Sequence, residues 1–164
     1  MSFTKDNDSD NYATDKQGWE MVKEYIPKDK KIWAPFYCDG KQKEIFKEMG
    51  FDIIHEDKDF FEFTPEFDCI IDNPPFSKFK PICKRLKELG KPFMLVCPAR
   101  TLNLQHFLDK FDDDLQIIIP RTRPTFTHLE NPKKGYTPPF GTHYYCWKMN
   151  LPKDLIVLKK IEKK

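Results

Sequence analysis

With 164 residues and a net charge of +2, the chain has room for one hydrophobic core and none for an added domain of ordinary size. Its pI near 8.2 does not mark a nucleic-acid binder by itself, since strongly basic domains lie above about 9, so only local charge clusters bear on partners. Five cysteines without C-x-x-C spacing, mostly in apolar runs, argue against a disulfide framework or a structural zinc and read as free core thiols in a reducing compartment.

Residues 1–11 are polar and acidic, offer little to bury, and read as a flexible segment before a domain spanning 12–159. They contain no apolar leader, and no later run approaches the about 18 apolar residues of a membrane span. The expectation is a protein that is not secreted and contacts no membrane, cytoplasmic or, in a eukaryotic or viral setting, nuclear. Asp15 can cap a helix with Trp19, Val22, Tyr25 and Ile26 at helical spacing, closed by Pro27. Residues 31–36 read as the first strand, and Tyr37-Cys38-Asp39-Gly40 leads into a helix with Ile45, Phe46 and Met49 on one face and Gly50 as its stop. A second strand over 51–55 runs into the charged turn Glu56-Asp57-Lys58-Asp59 and then Phe60-Phe61.

Phe67 to Ile71 is a short apolar run of the kind a buried parallel strand needs, and Pro74-Pro75 cannot continue a ladder because they lack the donor. Asn73 therefore sits at the carboxyl tip of a strand, the rim where open α/β sheets bind ligands. Phe79, Ile82, Cys83, Leu86 and Leu89 then mark a helix ended by Gly90, 92–97 a buried strand, and 102–111 a helix with Leu104, Phe107, Leu108 and Phe111 inward. Strands over 115–119 and 142–149 complete the set, 154–159 adds an edge, and 160–164 is a basic tail. Strands interleaved with helices predict an α/β fold, a doubly wound and mostly parallel sheet with helices on both faces. The segment 120–141 is too long for an ordinary connection and reads as a substrate-contacting loop.

The tetrapeptide Asn73-Pro74-Pro75-Phe76 resembles the catalytic motif of S-adenosylmethionine-dependent amino-methyltransferases, above all those acting on adenine, which have a Rossmann-like sheet. The resemblance implies that the Asn73 side-chain oxygen and the Pro74 carbonyl accept hydrogen bonds from the amine and that Phe76 stacks on the base. Asp72 competes as the polar ligand, but strand alternation puts it on the other side from Asn73. Asn11-Tyr12-Ala13-Thr14 resembles the segment that contacts the methionine carboxylate, with Tyr12 beside it and Thr14 as the contact. Pro35-Phe36-Tyr37-Cys38-Asp39-Gly40 resembles the first motif, an acid followed by P-F-x-G-x-G, from which it departs at Ala34 and Cys38. Backbone approach to the donor then falls to Gly40, and Asp39 takes over the ammonium contact. Glu56 or Asp57 stands where such folds keep an acid for the ribose hydroxyls, and Asp59 and Phe60 where an acid and a ring meet the donor adenine.

Arg121, Arg123, Lys133 and Lys134, with Phe126 and Tyr136 interleaved, suit a phosphate backbone with stacked bases, and Arg100 projects toward the same rim. The histidines show no metal-ligand spacing, so the expected cofactor is S-adenosylmethionine without a metal, and His106 reads as a surface residue. The function implied is methyl transfer to the exocyclic amine of adenine in nucleic acid, DNA before RNA and including single strands. A homodimer or partner subunit would supply target recognition. Protein-glutamine methyl transfer and a non-catalytic binding subunit remain as alternatives.

Overall fold

A computed structural model describes residues 12–131, 133, 135–138 and 140–159; the segments 1–11 and 160–164 lie outside the described residues. The strands are β1 (Tyr12–Thr14), β2 (Ile32–Trp33), β3 (Ile53–Ile54), β4 (Cys69–Asp72), β5 (Phe93–Pro98), β6 (Leu115–Ile119), β7 (Phe126–His128), β8 (Gly135–Tyr136), β9 (Thr142–Trp147) and β10 (Leu155–Val157). The helices are α1 (Lys16–Glu20), α2 (Gln42–Glu48), α3 (Phe79–Leu89) and α4 (Gln105–Phe111).

Seven strands form one sheet in the order β10-β6-β9-β5-β4-β2-β3. The pairs from β3 through β2 and β4 to β5 are parallel, β6 and β10 are parallel, and β9 runs antiparallel to both β5 and β6. This is the mostly parallel α/β sheet that the interleaved pattern predicts. Alternation along β4 and β5 sends Cys69, Ile71, Met94 and Val96 to one face, where Trp19 and Phe46 cover them. Ile70, Phe93, Leu95 and Cys97 go to the other, under Phe79, Ile82, Phe107 and Phe111. Burial on both faces is why these strands read as continuous apolar runs rather than alternating ones. The chain leaves β2 toward β3 and returns on its far side as β4, so strand order reverses between β2 and β4. A crevice opens at such a switch point, beyond the carboxyl ends of the strands.

Three expectations need correction. The single helix expected from Asp15 to Pro27 is a five-residue α1 followed by a tight turn over Lys23–Tyr25. Gly18 is a weak helix former, and its carbonyl accepts the Tyr144 hydroxyl, while the Val22 N–H turns to the Trp19 carbonyl at 3.2 Å. The Asp15 carboxylate makes no cap and instead accepts from the hydroxyls of Thr125, at 2.7 Å, and Thr127. Nor is 120–141 irregular throughout. Within it β7 pairs antiparallel with both β1 and β8, giving a three-stranded sheet that joins the N-terminal segment to the long connection. The helix expected over 102–111 likewise starts later, after a tight turn over Ala99–Asn103.

Candidate functional site

β4 ends at Asp72, and the next four residues differ in exposure for a structural reason. Pro74 and Pro75 are buried while Asn73 and Phe76 on either side are partly open. The proline rings fix the backbone and anchor the turn, and the Pro75 carbonyl accepts the Lys78 N–H at 3.1 Å, starting the tight turn that leads into α3. Phe76 is stacked on the buried Phe79 with centroids 4.8 Å apart. Among the described residues the Asn73 side chain has no hydrogen-bond partner, so its amide is available to a ligand.

Asp72 holds this turn against the loop after β2. Its carboxylate accepts the backbone N–H of Phe36 and that of Asn73, each at 2.7 Å. It is 1% exposed, and burial raises its pKa well above the ordinary carboxylate value, opposed by the two N–H groups and by Gln42. No cation among the described residues pairs with it. Alternation along the strand suggests that Asp72 is turned away from the site. It lies instead on the same cavity as Asn73, because the chain leaves strand geometry at the prolines.

That cavity, of about 110 Å³, lies at the switch point and is lined by the β1 segment, the loop after β2, the start of α2, and Asp72 and Asn73. Tyr12, Thr14, Phe36 and Asp39 from the sequence expectations meet there. Thr14 lines it, and the buried Thr14 hydroxyl has no hydrogen-bond partner among the described residues. Asp39 is exposed and accepts the Lys41 N–H at 3.1 Å. Cys38, on the same wall, adopts the left-handed backbone conformation, φ 58°, at the position where the resembling motif has glycine. Burial and the nearby Asp39 and Asp72 raise its thiol pKa, which keeps it protonated.

A second cavity of about 170 Å³ shares Tyr12 and Asn73 with the first and is lined further by Pro74, Phe76, Val96, Pro98, Arg100, Phe126, Pro138 and Phe140. Its walls are largely aromatic and aliphatic. The two cavities therefore meet at one tyrosine and one amide, with carboxylates, Lys16, Lys41 and the Thr14 hydroxyl on one side and rings on the other.

Other expected donor contacts lie elsewhere. Phe60 is fully buried against Trp33 and Phe36. Asp59 accepts the Phe61 N–H at 2.8 Å, and neither it nor the exposed Glu56 and Asp57 lines either cavity. Gly40, at φ 78°, is covered by Tyr37: a side chain there would meet the Tyr37 hydroxyl at 2.5 Å, so its approach is to that ring. Tyr37 in turn stacks on His55, whose Nδ1 lies 2.8 Å from the Ala34 carbonyl and whose pKa burial lowers. Pro35 is buried beneath the same loop.

Of the basic residues, Arg123 donates to the Pro138 carbonyl at 3.0 Å and so ties the connection together, while Arg121 and Lys133 are exposed. Lys134 lies outside the described residues. Asp72 and Phe140 are lining residues that the sequence reading did not assign: Asp72 was misplaced by alternation, and Phe140 had no neighbouring pattern to mark it. No group of three or more His, Cys, Asp or Glu among the described residues is placed to hold a metal. Within the same residues no helix is long and apolar enough to cross a membrane.

No protein family and no curated protein matches the chain by sequence. Among solved structures it is similar to precorrin-6y C5,15-methyltransferase from Geobacter metallireducens, with 10% identity and a TM-score of 0.44 over 86% of this chain and 95% of that one. It is also similar to TrmN from Thermus thermophilus, with 13% identity and a TM-score of 0.33 over 80% of this chain and 40% of that one. Likenesses this distant leave the functional argument to the site itself.

Proposed function

We propose that this protein transfers a methyl group from S-adenosylmethionine to the exocyclic amine of an adenine in nucleic acid, with single-stranded or unpaired DNA as the first substrate. The observation that carries the reading is the meeting of two unlike cavities at Asn73. The smaller one suits the amino-acid end of the donor. Its unpaired Thr14 hydroxyl, with Lys16 and Lys41 on the same lining, complements a carboxylate, and the exposed Asp39 complements a cation. When bound, S-adenosylmethionine supplies an electrophilic methyl group on a sulfonium.

The larger cavity suits a planar base, which Phe76 holds by stacking, a contact worth about 1–3 kcal/mol. The adenine amine is a poor nucleophile because its lone pair is delocalised into the ring. The Asn73 side-chain oxygen and the Pro74 carbonyl accept hydrogen bonds from its two N–H groups, which frees that lone pair and turns it toward the smaller cavity. A carbon–nitrogen bond forms as the carbon–sulfur bond breaks, and the surplus amine proton leaves to solvent. Alignment can supply roughly 7–11 kcal/mol in well-oriented systems, so no strong base is required. Base extrusion costs a few kcal/mol in a duplex and less in a single strand, which favours the unpaired substrate.

Calorimetric titration tests the donor half. The protein is expected to bind S-adenosylmethionine, and Thr14→Val to weaken that binding about three- to tenfold, as loss of one neutral hydrogen bond predicts. Absence of heat at millimolar donor would remove the reading.

A further inference from the structure

Arg100 sits at the mouth of the larger cavity. Its guanidinium carbon lies 4.8 Å from the Phe76 centroid and 5.3 Å from that of Phe140. One face of Phe76 is taken by Phe79, and stacked groups do not share a face, so the guanidinium covers the face that remains. That is the face on which a base would stack. No carboxylate among the described residues pairs with Arg100, whose guanidinium lies against two rings.

We propose that Arg100 is a placeholder that makes the cavity selective for a base within a phosphodiester chain over a free nucleoside, an inference that rests on the acceptor reading above. A planar guanidinium and a planar base compete for one aromatic face. Any base that enters displaces Arg100 and forfeits its stacking. A nucleotide within a strand offsets that loss, because its flanking phosphate gives the displaced guanidinium a charge-assisted, bidentate partner. A free nucleoside carries no phosphate and offsets nothing. The same side chain therefore opposes one ligand and favours the other.

The test is titration of the full chain with adenosine and, separately, with a single-stranded oligodeoxynucleotide containing one adenine, in the native protein, Arg100→Ala and Arg100→Lys. Arg100→Ala is expected to bind adenosine about tenfold tighter, as release of two cation–π contacts predicts. It is expected to bind the oligonucleotide more weakly, with a salt dependence shallower by about one phosphate contact. Arg100→Lys is expected to keep the native salt dependence while binding adenosine more tightly than the native protein does. Parallel losses for both ligands, or adenosine affinity unchanged in Arg100→Ala, would overturn the placeholder. Native protein that binds neither ligand would remove the acceptor reading, and the placeholder with it.

Discussion

Cys38 occupies a backbone conformation that costs an L-residue about 1–2 kcal/mol, on the wall of the smaller cavity. Glycine is free of that strain but loses about 0.4–1 kcal/mol through its more flexible unfolded chain. Cys38→Gly should therefore be neutral or stabilising by up to about 1 kcal/mol, whereas Cys38→Val, β-branched at a positive φ, should destabilise by about 2 kcal/mol. Urea midpoints at constant slope decide this, and equal losses from both would show that the loop is not strained at this position. Asp72 makes a second prediction. Burial raises its folded-state pKa above the ordinary 3.8, so across that window the folded chain binds a proton that the unfolded chain has released. Its contribution to stability falls as pH rises from near 3.8 toward the raised value. The difference in urea midpoint between the native protein and Asp72→Asn should change in that direction with pH, and a difference independent of pH would contradict the assignment.

At the scale of elements, the strands of the main sheet were legible because β-branched and aromatic runs bounded by prolines and glycines have few other ways to be buried. The turn at Asn73 was legible for a related reason: two prolines can only end a ladder. The N-terminal helix was read too long because spacing does not reveal that the Tyr144 hydroxyl reaches the Gly18 carbonyl. The pairing of β1 with β7 was illegible, since three-residue strands leave no alternation to count and their partners lie far apart in sequence. Asp15 joins those two elements through the hydroxyls of Thr125 and Thr127. Hydrogen bonds to a charged group contribute about 1.5–3 kcal/mol, so Asp15→Ala should loosen β7 locally. Amide hydrogen exchange is expected to rise at Phe126–His128 and stay unchanged in β4 and β5; uniform change across all three would contradict a local role.

The whole molecule places its candidate site where its topology reverses. β2 and β4 aim the loop after β2 and the Asn73 turn at one crevice, and β1 and β7 of the small sheet line that crevice. Only the part of the candidate site set by this reversal was legible in the sequence. The expected contacts after β3 followed the order of motifs, yet Glu56, Asp57 and Asp59 are exposed on the turn and Phe60 is drawn into the core, so none of them lines the crevice. What unites the arrangement is the amide shared by two cavities, and the most direct measurement is transfer of a labelled methyl group from S-adenosylmethionine to a single-stranded oligodeoxynucleotide, followed by digestion to nucleosides. The account predicts label on the adenine amine, reduced about a hundred- to thousandfold in Asn73→Ala while donor binding persists. Label on protein instead, or turnover retained by Asn73→Ala, would contradict it.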